Sequence, residues 1–183
     1  MHNDQQHPLQ RFAFCPVCGS SAFHINNFKS KHCDHCGFTY YANPCSATAA
    51  FIFDTDGRLL VARRAKEPAR GTLDLVGGFV DMDETIEEGM RREIREETGL
   101  VVENMEYLFS LPNHYLYSDM LIHTVDMFFR VRVPSGTPVR ADDDAAELFW
   151  LPLSEVDAAL FGLDSISRGV ARYIEEVLKN VKM

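Results

Sequence analysis

Hydrophobic positions along the chain fall into blocks of different spacing. Residues 46–54 form an almost unbroken apolar run rich in Ala, Phe and Ile, and residues 58–64 hold a shorter apolar block between arginines. Between them Asp54-Thr55-Asp56-Gly57 has turn composition, so the pair reads as two strands joined by a tight turn. A loop through Pro68 and Gly71 leads to a short strand at 73–76. From about Glu84 to Thr98 the period lengthens to that of a helix, ~100° per residue, with Ile86, Met90 and Ile94 on one stripe and Gly99 as C′ cap. Strands are expected at 101–111 and 121–133, the second ending in the alternating run FFRVRV, with a loop over 110–120 between them. Residues 134–138 are a turn-rich connection, and 151–155 have the composition of a capped helix start. A terminal amphipathic helix is expected over 165–182, with Ile166, Val170, Tyr173, Ile174, Val177 and Leu178 facing the core. The first ten residues, with His2 and His7, are polar and expected to be disordered.

Carboxylates interrupt the apolar stripe of the first helix. Glu93 and Glu97 fall on it, and Glu96 lies just beside. Three carboxylates at i, i+3 and i+4 on a core-facing edge repel one another and lose hydration, at a cost of several kcal/mol unless a cation compensates. A hard divalent ion, Mg²⁺ or Mn²⁺, is the natural compensation, because it takes oxygen ligands and keeps waters for a phosphate-bearing substrate. An ordinary solvated acidic helix accounts for the number of glutamates but not for their place on the stripe.

A chain of 183 residues can bury one substantial core and carry a small appendage. With 46% apolar and 25% charged residues it reads as a soluble globular protein, and apolar runs such as 47–53 are far too short to span a bilayer. No basic segment followed by an apolar one opens the chain, so a cytoplasmic location is expected. The formal net charge of −9 argues against broad binding to nucleic acid, which needs a basic footprint. It does not exclude an anionic substrate, since a bound divalent ion inverts the local field. Residues 142–144, all Asp, read as a solvated acidic loop. Arg63, Arg64 and Lys66 form a small basic group that is either a solvated strand end or a phosphate contact, with Arg63 the candidate.

Four of the five cysteines form two pairs, Cys15-x2-Cys18 and Cys33-x2-Cys36, each followed by a glycine, Gly19 and Gly37. This spacing suits a closed tetrahedral Zn²⁺ site in a reducing compartment better than a disulfide framework. The segment around it is too short to bury much surface, so the metal would supply much of its folding free energy. His24, His32 and His35 lie nearby as other possible ligands, but an all-cysteine set is simpler. Redox chemistry by the CxxC pairs is the rival, and two paired knuckles argue against it. Cys45 is expected to be a small buried residue at the start of the next strand.

Gly78, five residues, Glu84, seven residues and then Arg92-Glu93-Ile94-Arg95-Glu96-Glu97-Thr98-Gly99-Leu100 fill every fixed position of the Nudix hydrolase signature, which this stretch resembles. Two flanking positions depart from the usual pattern: Val76 stands where the family generally has Pro, and Asp83 where it has Gly. The cysteine-paired start, with Tyr41-Ala-Asn43-Pro44 after the second knuckle, is similar to two branches of that family, the NADH pyrophosphatases and a branch acting on ADP-ribose and FAD. Ser110, Pro112, Ser118 and Met120 fit the nucleotide-gripping array of the first branch and Tyr115 keeps an aromatic, but the Trp and two prolines of that array are missing. The second branch lacks the array and fits these departures better.

The resemblance implies the α/β class, with a Nudix α/β/α sandwich around a mixed sheet preceded by a small zinc ribbon. The expected divisions are a flexible tail over 1–11, the ribbon over 12–44 and the hydrolase domain over 45–183. It implies Mg²⁺- or Mn²⁺-dependent hydrolysis of a nucleoside diphosphate linked to another moiety, giving NMP and phosphate-X, with ADP-ribose, NADH and FAD as leading substrates. Implied metal ligands are Glu93, Glu96, Glu97 and a carbonyl at Gly78, with Glu147, three residues before Trp150, reaching the same cluster. Arg92 would hold the carboxylates, Glu84 would brace loop against helix, and Glu97 or Glu147 would take a proton from water. His114, Tyr115 and Tyr117 either stack on a base or are half-buried loop aromatics. Alternatives are the sanitising of nucleoside triphosphates, the removal of a nucleotide cap from RNA, and a non-catalytic module whose ribbon contacts RNA or protein. The expected partners are a small nucleotide and a second copy in a homodimer, with no membrane.

Overall fold

The computed structural model describes residues 7–117, 120–140 and 145–181. The readings placed at His2, Ser118, 142–144 and Lys182 lie outside these, as do the side chains of Val177 and Leu178. Two compact units divide the chain: Met1–Pro44 with Tyr115–His123, and Cys45–His114 with Thr124–Met183.

In the first unit β1 (Phe23–Asn27), β2 (Ser30–Cys33) and β3 (Thr39–Tyr41) form an antiparallel sheet in that order. Its core is very small: Cys15, Phe23 and Cys33, with Phe38 against them. Each cysteine knuckle closes where a glycine takes a left-handed conformation, Gly19 at φ 71° and Gly37 at φ 77°. Their amides donate to the carbonyls of Cys15 and Cys33, both at 2.9 Å. A side chain in that conformation would be strained, which is why glycine follows each pair.

The second unit is built on β4 (Cys45–Asp54), β5 (Arg58–Arg64), β6 (Leu73–Asp74), the larger parts of β7 (Glu106–Tyr117) and β8 (Met120–Val133), and β9 (Ala145–Pro152). The strand order is β6-β5-β4-β8-β7, with β9 paired to β5. β4 and β8 run parallel from Cys45 opposite Thr124 to Asp54 opposite Val133, whereas β5 pairs antiparallel with β4, β6 and β9, so the sheet is mixed. The unbroken apolar run of β4 follows from burial on both faces. Ala49, Phe51 and Phe53 join Phe128, Val170 and Tyr173 of one core, where α2 (Asp164–Val181) packs. Ala50 and Ile52 join Met90, Ile94 and Phe129 of the other, where α1 (Ile86–Thr98) packs. A helix on each face gives the α/β/α sandwich. Close approach explains Gly169 within α2, since a Cβ there would sit 2.5 Å from the Phe128 ring. Among the described residues no helix is long and apolar enough to cross a membrane.

Several expectations need correction. α1 starts at Ile86, not Glu84: Thr85 is its N-cap, accepting from the Glu88 amide while the Glu88 carboxylate accepts from the Thr85 amide. Residues 110–117 are strand, not loop, because β7 continues to Tyr117. Residues 101–105, expected as strand, precede it. At 151–155 there is no capped α-helix: β9 runs through Pro152, and Leu153–Glu155 makes a 3₁₀ turn without a side-chain cap. Cys45 is exposed, since β4 enters the core only from Thr48 onward.

Candidate functional site

The loop from Gly77 to Glu84 and helix α1 bring the signature residues together. Pairing fixes the loop at its start: residues 73–76 lie between β5 and β4, with Leu73 and Asp74 opposite Arg63 and Ala62, and Val76 bridged to Ala50. Val76 is fully buried among Ala50, Ile52 and Met90, so an apolar side chain at this position continues the core. Beyond it the backbone lies flush on β4. A Cβ at Gly77 would come within 2.1 Å of the Thr48 carbonyl oxygen. The Gly78 carbonyl accepts from the Thr48 amide at 2.8 Å and, over a longer 3.4 Å, from the Thr48 hydroxyl.

Arg92 is the hub of the carboxylates. Its Nε and Nη2 donate to the two oxygens of Glu84 at 2.9 and 3.0 Å, a bidentate pair. Nη1 donates to Glu93 at 2.7 Å and to Glu96 at 3.2 Å, and Nη2 also reaches the Phe79 carbonyl at 3.0 Å. Glu84 further accepts from the Asp81 amide at 3.1 Å, so it ties the loop to the helix. Glu97 accepts from the Gly77 amide at 3.1 Å, and the Glu93 carboxylate lies against Gly78, within 2.7–2.8 Å of where a Cβ would be. Met90, Ile94 and Thr98 are buried, Glu93 and Glu97 border that stripe half-buried, and Glu96 is exposed.

The electrostatics follow these contacts. The Arg92 bond holds the Glu84 carboxyl below its ordinary range. Glu93 is raised: loss of hydration outweighs the Arg92 contact, and Glu96 adds repulsion. Arg92 itself is held more firmly protonated, chiefly by Glu84. The three glutamates 93, 96 and 97 do not draw their oxygens into one tight group; mutually repelling carboxylates each turn to an N–H donor.

Such a tight group is found among the described residues at Cys15, Cys18, Cys33 and Cys36, whose sulfurs all lie within 4.8 Å of one another. Cys15 to Cys36 and Cys18 to Cys33 are both 3.7 Å. Burial pushes Cys15 up, but the amides of Cys18 and Val17 and the neighbouring thiols bring it down to about 7. For Cys36 the Phe38 amide pulls downward, yet burial and three adjacent thiols push it up to about 12. Four thiols this close resist joint ionisation, which a bound metal ion would relieve. His24, His32 and His35 are not in the group.

The remaining candidates lie on other elements. Glu147 on β9 stands opposite Arg63 on β5 and contacts its Nε at 3.4 Å. Arg63 also donates to the Gly71 carbonyl at 3.0 Å and covers the Phe149 ring at 5.6 Å. Arg64 is bonded to Asp74 and to the Pro68 carbonyl, which makes it a brace of the 65–72 loop. His114 is exposed on β7, while Tyr115, half-buried, and Tyr117, exposed, fall in the first unit with the cysteines. Sequence reasoning missed Thr48, which holds the Gly78 carbonyl from β4, and Thr85; only the second had a local signal, Thr-x-x-Glu.

The NUDIX domain family model matches residues 43–173. The chain belongs to the NUDIX family. Within that family it is 31% identical over 138 residues to the ADP-ribose pyrophosphatase of Methanocaldococcus jannaschii, covering 74% of this chain and 78% of that protein. It is also 31% identical over 122 residues to the NAD-capped RNA hydrolase NudC of Vibrio parahaemolyticus, covering 66% of this chain but only 45% of NudC. The NUDIX hydrolase structure from Nitrosomonas europaea shares the fold, with a TM-score of 0.67 at 23% identity over 89% of this chain and 90% of that one.

Proposed function

We propose that this NUDIX protein hydrolyses a nucleoside diphosphate linked to a second moiety, of the ADP-ribose, NADH or FAD type, to NMP and phosphate-X with Mg²⁺ or Mn²⁺. One observation carries the reading: Glu84, Glu93 and Glu96 converge on Arg92, while Glu97 and Glu93 meet the adjacent Gly77-Gly78 backbone. The donor set suits a hard cation, for these are oxygen ligands in excess negative charge and Glu93 is already destabilised as a carboxylate. Glu93, Glu96 and Glu97 would hold the ion, and the Gly78 carbonyl would join them by giving up its long 3.4 Å contact with the Thr48 hydroxyl. When bound, it supplies charge neutralisation at the diphosphate and a water of lowered pKa.

The chain's own residues do the rest. Arg92 orients the ligand carboxylates, and Glu84 fixes Arg92 to the loop. Glu97 and Glu147 are the candidate bases; Glu147 is 59% exposed and meets Arg63 only at 3.4 Å, a contact weak enough to be exchanged. Arg63 is the candidate phosphate contact on the same strand pair, and His114, Tyr115 and Tyr117 are the candidate base-stacking residues.

We assign the cysteine group to a structural Zn²⁺, which would hold together a unit whose apolar core is only a few side chains. Zn–S bonds of about 2.3 Å in a tetrahedron put sulfurs about 3.8 Å apart, in accord with the 3.7 Å separations. The reading is tested by incubating the protein and Glu97→Gln with Mg²⁺ and ADP-ribose, NADH, FAD, NAD-capped RNA or nucleoside triphosphates, with products identified by chromatography. AMP from one of the first three, absent with Glu97→Gln, is expected. Turnover confined to capped RNA or to triphosphates would replace this substrate class.

A further inference from the structure

The β1–β2 turn of the first unit carries a surface that the hydrolytic site does not use. Phe28, at the turn, is 81% exposed and Tyr41, on β3, is 47% exposed. Between them stands Lys29, its Nζ 5.9 Å from the Phe28 ring centroid and 6.0 Å from that of Tyr41. The group is held from the backbone: the Lys29 carbonyl accepts from the Ala42 amide at 2.8 Å, its amide donates to Asn27 Oδ1 at 3.1 Å, and Ser30 is paired with Tyr41. An ammonium about 6 Å from each ring lies at the outer limit of cation–π reach, so it is committed to neither.

We propose that this tip binds single-stranded nucleic acid, with bases stacked on Phe28 and Tyr41 and the phosphate between them on Lys29. Two aromatic faces astride one cation match two bases astride one phosphate, the pattern by which unpaired strands are held without sequence readout. Local charge agrees. Residues 23–33, which form the tip and its two strands, carry Lys29 and Lys31 and no acid, in a chain whose net charge is −9, with the Lys31 ammonium held on the Phe12 carbonyl. A metal-bound cysteine cluster would not cancel Lys29, because Cys33 lies at the far end of β2, three residues or about 10 Å from Ser30, roughly a Debye length away. A second copy of the chain fits less well, since an isologous contact would bring two Lys29 ammonium groups together.

The test uses the full-length protein and fluorescein-labelled rU12 and dT12 with 5′-hydroxyl ends, which carry no diphosphate for the hydrolytic site. Fluorescence anisotropy at low salt should show binding that excess ADP-ribose does not displace and that Glu97→Gln retains, so failure of the proposed activity leaves this reading standing. Phe28→Ala and Tyr41→Ala should each weaken binding about fivefold or more. Lys29→Gln should reduce the slope of log affinity against log salt by about 0.7. Titration of released thiols checks that each variant keeps the cysteine cluster. Absence of oligonucleotide binding by the wild type would overturn the proposal, as would unchanged affinity in both aromatic variants. It would also be overturned if those variants turned a dimer into a monomer in light scattering while leaving oligonucleotide affinity intact.

Discussion

Gly77 and Gly78 sit side by side, yet the same substitution should act on them in opposite ways. The nearest atoms to a Cβ on Gly78 are those of the Glu93 carboxylate, at 2.7–2.8 Å, the movable end of a flexible side chain. Restoring an ordinary contact of 3.4 Å requires the carboxylate to retreat by about 0.7 Å, stretching its 2.7 Å bond to Arg92. Displacements near 1 Å in a reacting constellation can lower rates by about 10²-fold, while the fold loses only about 1 kcal/mol for a partly solvated contact. A Cβ on Gly77 instead meets Thr48 backbone, 2.1 Å from its carbonyl oxygen and 2.8 Å from its carbon, at φ 153°. Backbone cannot rotate aside, so Gly77→Ala should destabilise by about 3 kcal/mol or more. Thermal unfolding should therefore shift by roughly 2–4 °C in Gly78→Ala and by roughly 6 °C or more in Gly77→Ala. ADP-ribose turnover, followed as AMP, should fall about 10²-fold in Gly78→Ala at a temperature where that variant is fully folded. Near-normal turnover in Gly78→Ala, or a stability loss equal to that of Gly77→Ala, would refute the placement of Glu93 against this glycine.

Asp83 adopts φ 67°, so Asp83→Gly should raise the urea midpoint by an amount worth about 0.5 kcal/mol and Asp83→Val should lower it. Thr85→Ala removes the acceptor for the Glu88 amide and half of the capping box; a loss of about 1 kcal/mol is expected in denaturant titration. Burial alone would push the Asp54 carboxyl up, but the Arg58 amide and guanidinium and the Asp56 amide outweigh it and hold the group below its usual range. A depressed folded value means that Asp54 stabilises the protein above its unfolded pKa of about 3.9 and that this is lost as pH falls through the folded value. Urea midpoints measured from neutral to acid pH should fall less steeply in Asp54→Asn.

What could be read from the chain was local and periodic. The Asp54–Gly57 turn, the two strands around it, the Met90–Ile94 stripe and the left-handed Gly99 cap each follow from a few neighbouring residues. The paired cysteines were legible for the same reason, because each knuckle is short and closed by its own glycine. What was misread depended on distant partners. Glu84 has helical spacing, but its carboxylate is spent on Arg92 and the Asp81 amide while Thr85 takes the cap. A loop was expected from residue 110, but β7 runs on through Pro112; it ends the strand order, and an edge strand tolerates a residue without an amide proton. The strand through Trp150 exists through its register with β5, Leu60 opposite Trp150 and Arg63 opposite Glu147, which no local pattern announces. Periodicity put Glu93 and Glu97 beside the apolar stripe of α1, where both are half-buried, but Glu96, expected on the same core-facing edge, is exposed, and Thr48, which holds the opposing loop, belongs to β4.

The central claim, that Glu93, Glu96 and Glu97 form a divalent-cation site, is tested most directly by titrating Mn²⁺ into the protein and following the free-ion EPR signal. Wild type should bind the ion, and Glu93→Gln, Glu96→Gln and Glu97→Gln should each weaken binding about tenfold or more, whereas Glu103→Gln, on an exposed position beyond the helix, should not. Equal Mn²⁺ affinity in all five proteins would contradict the account.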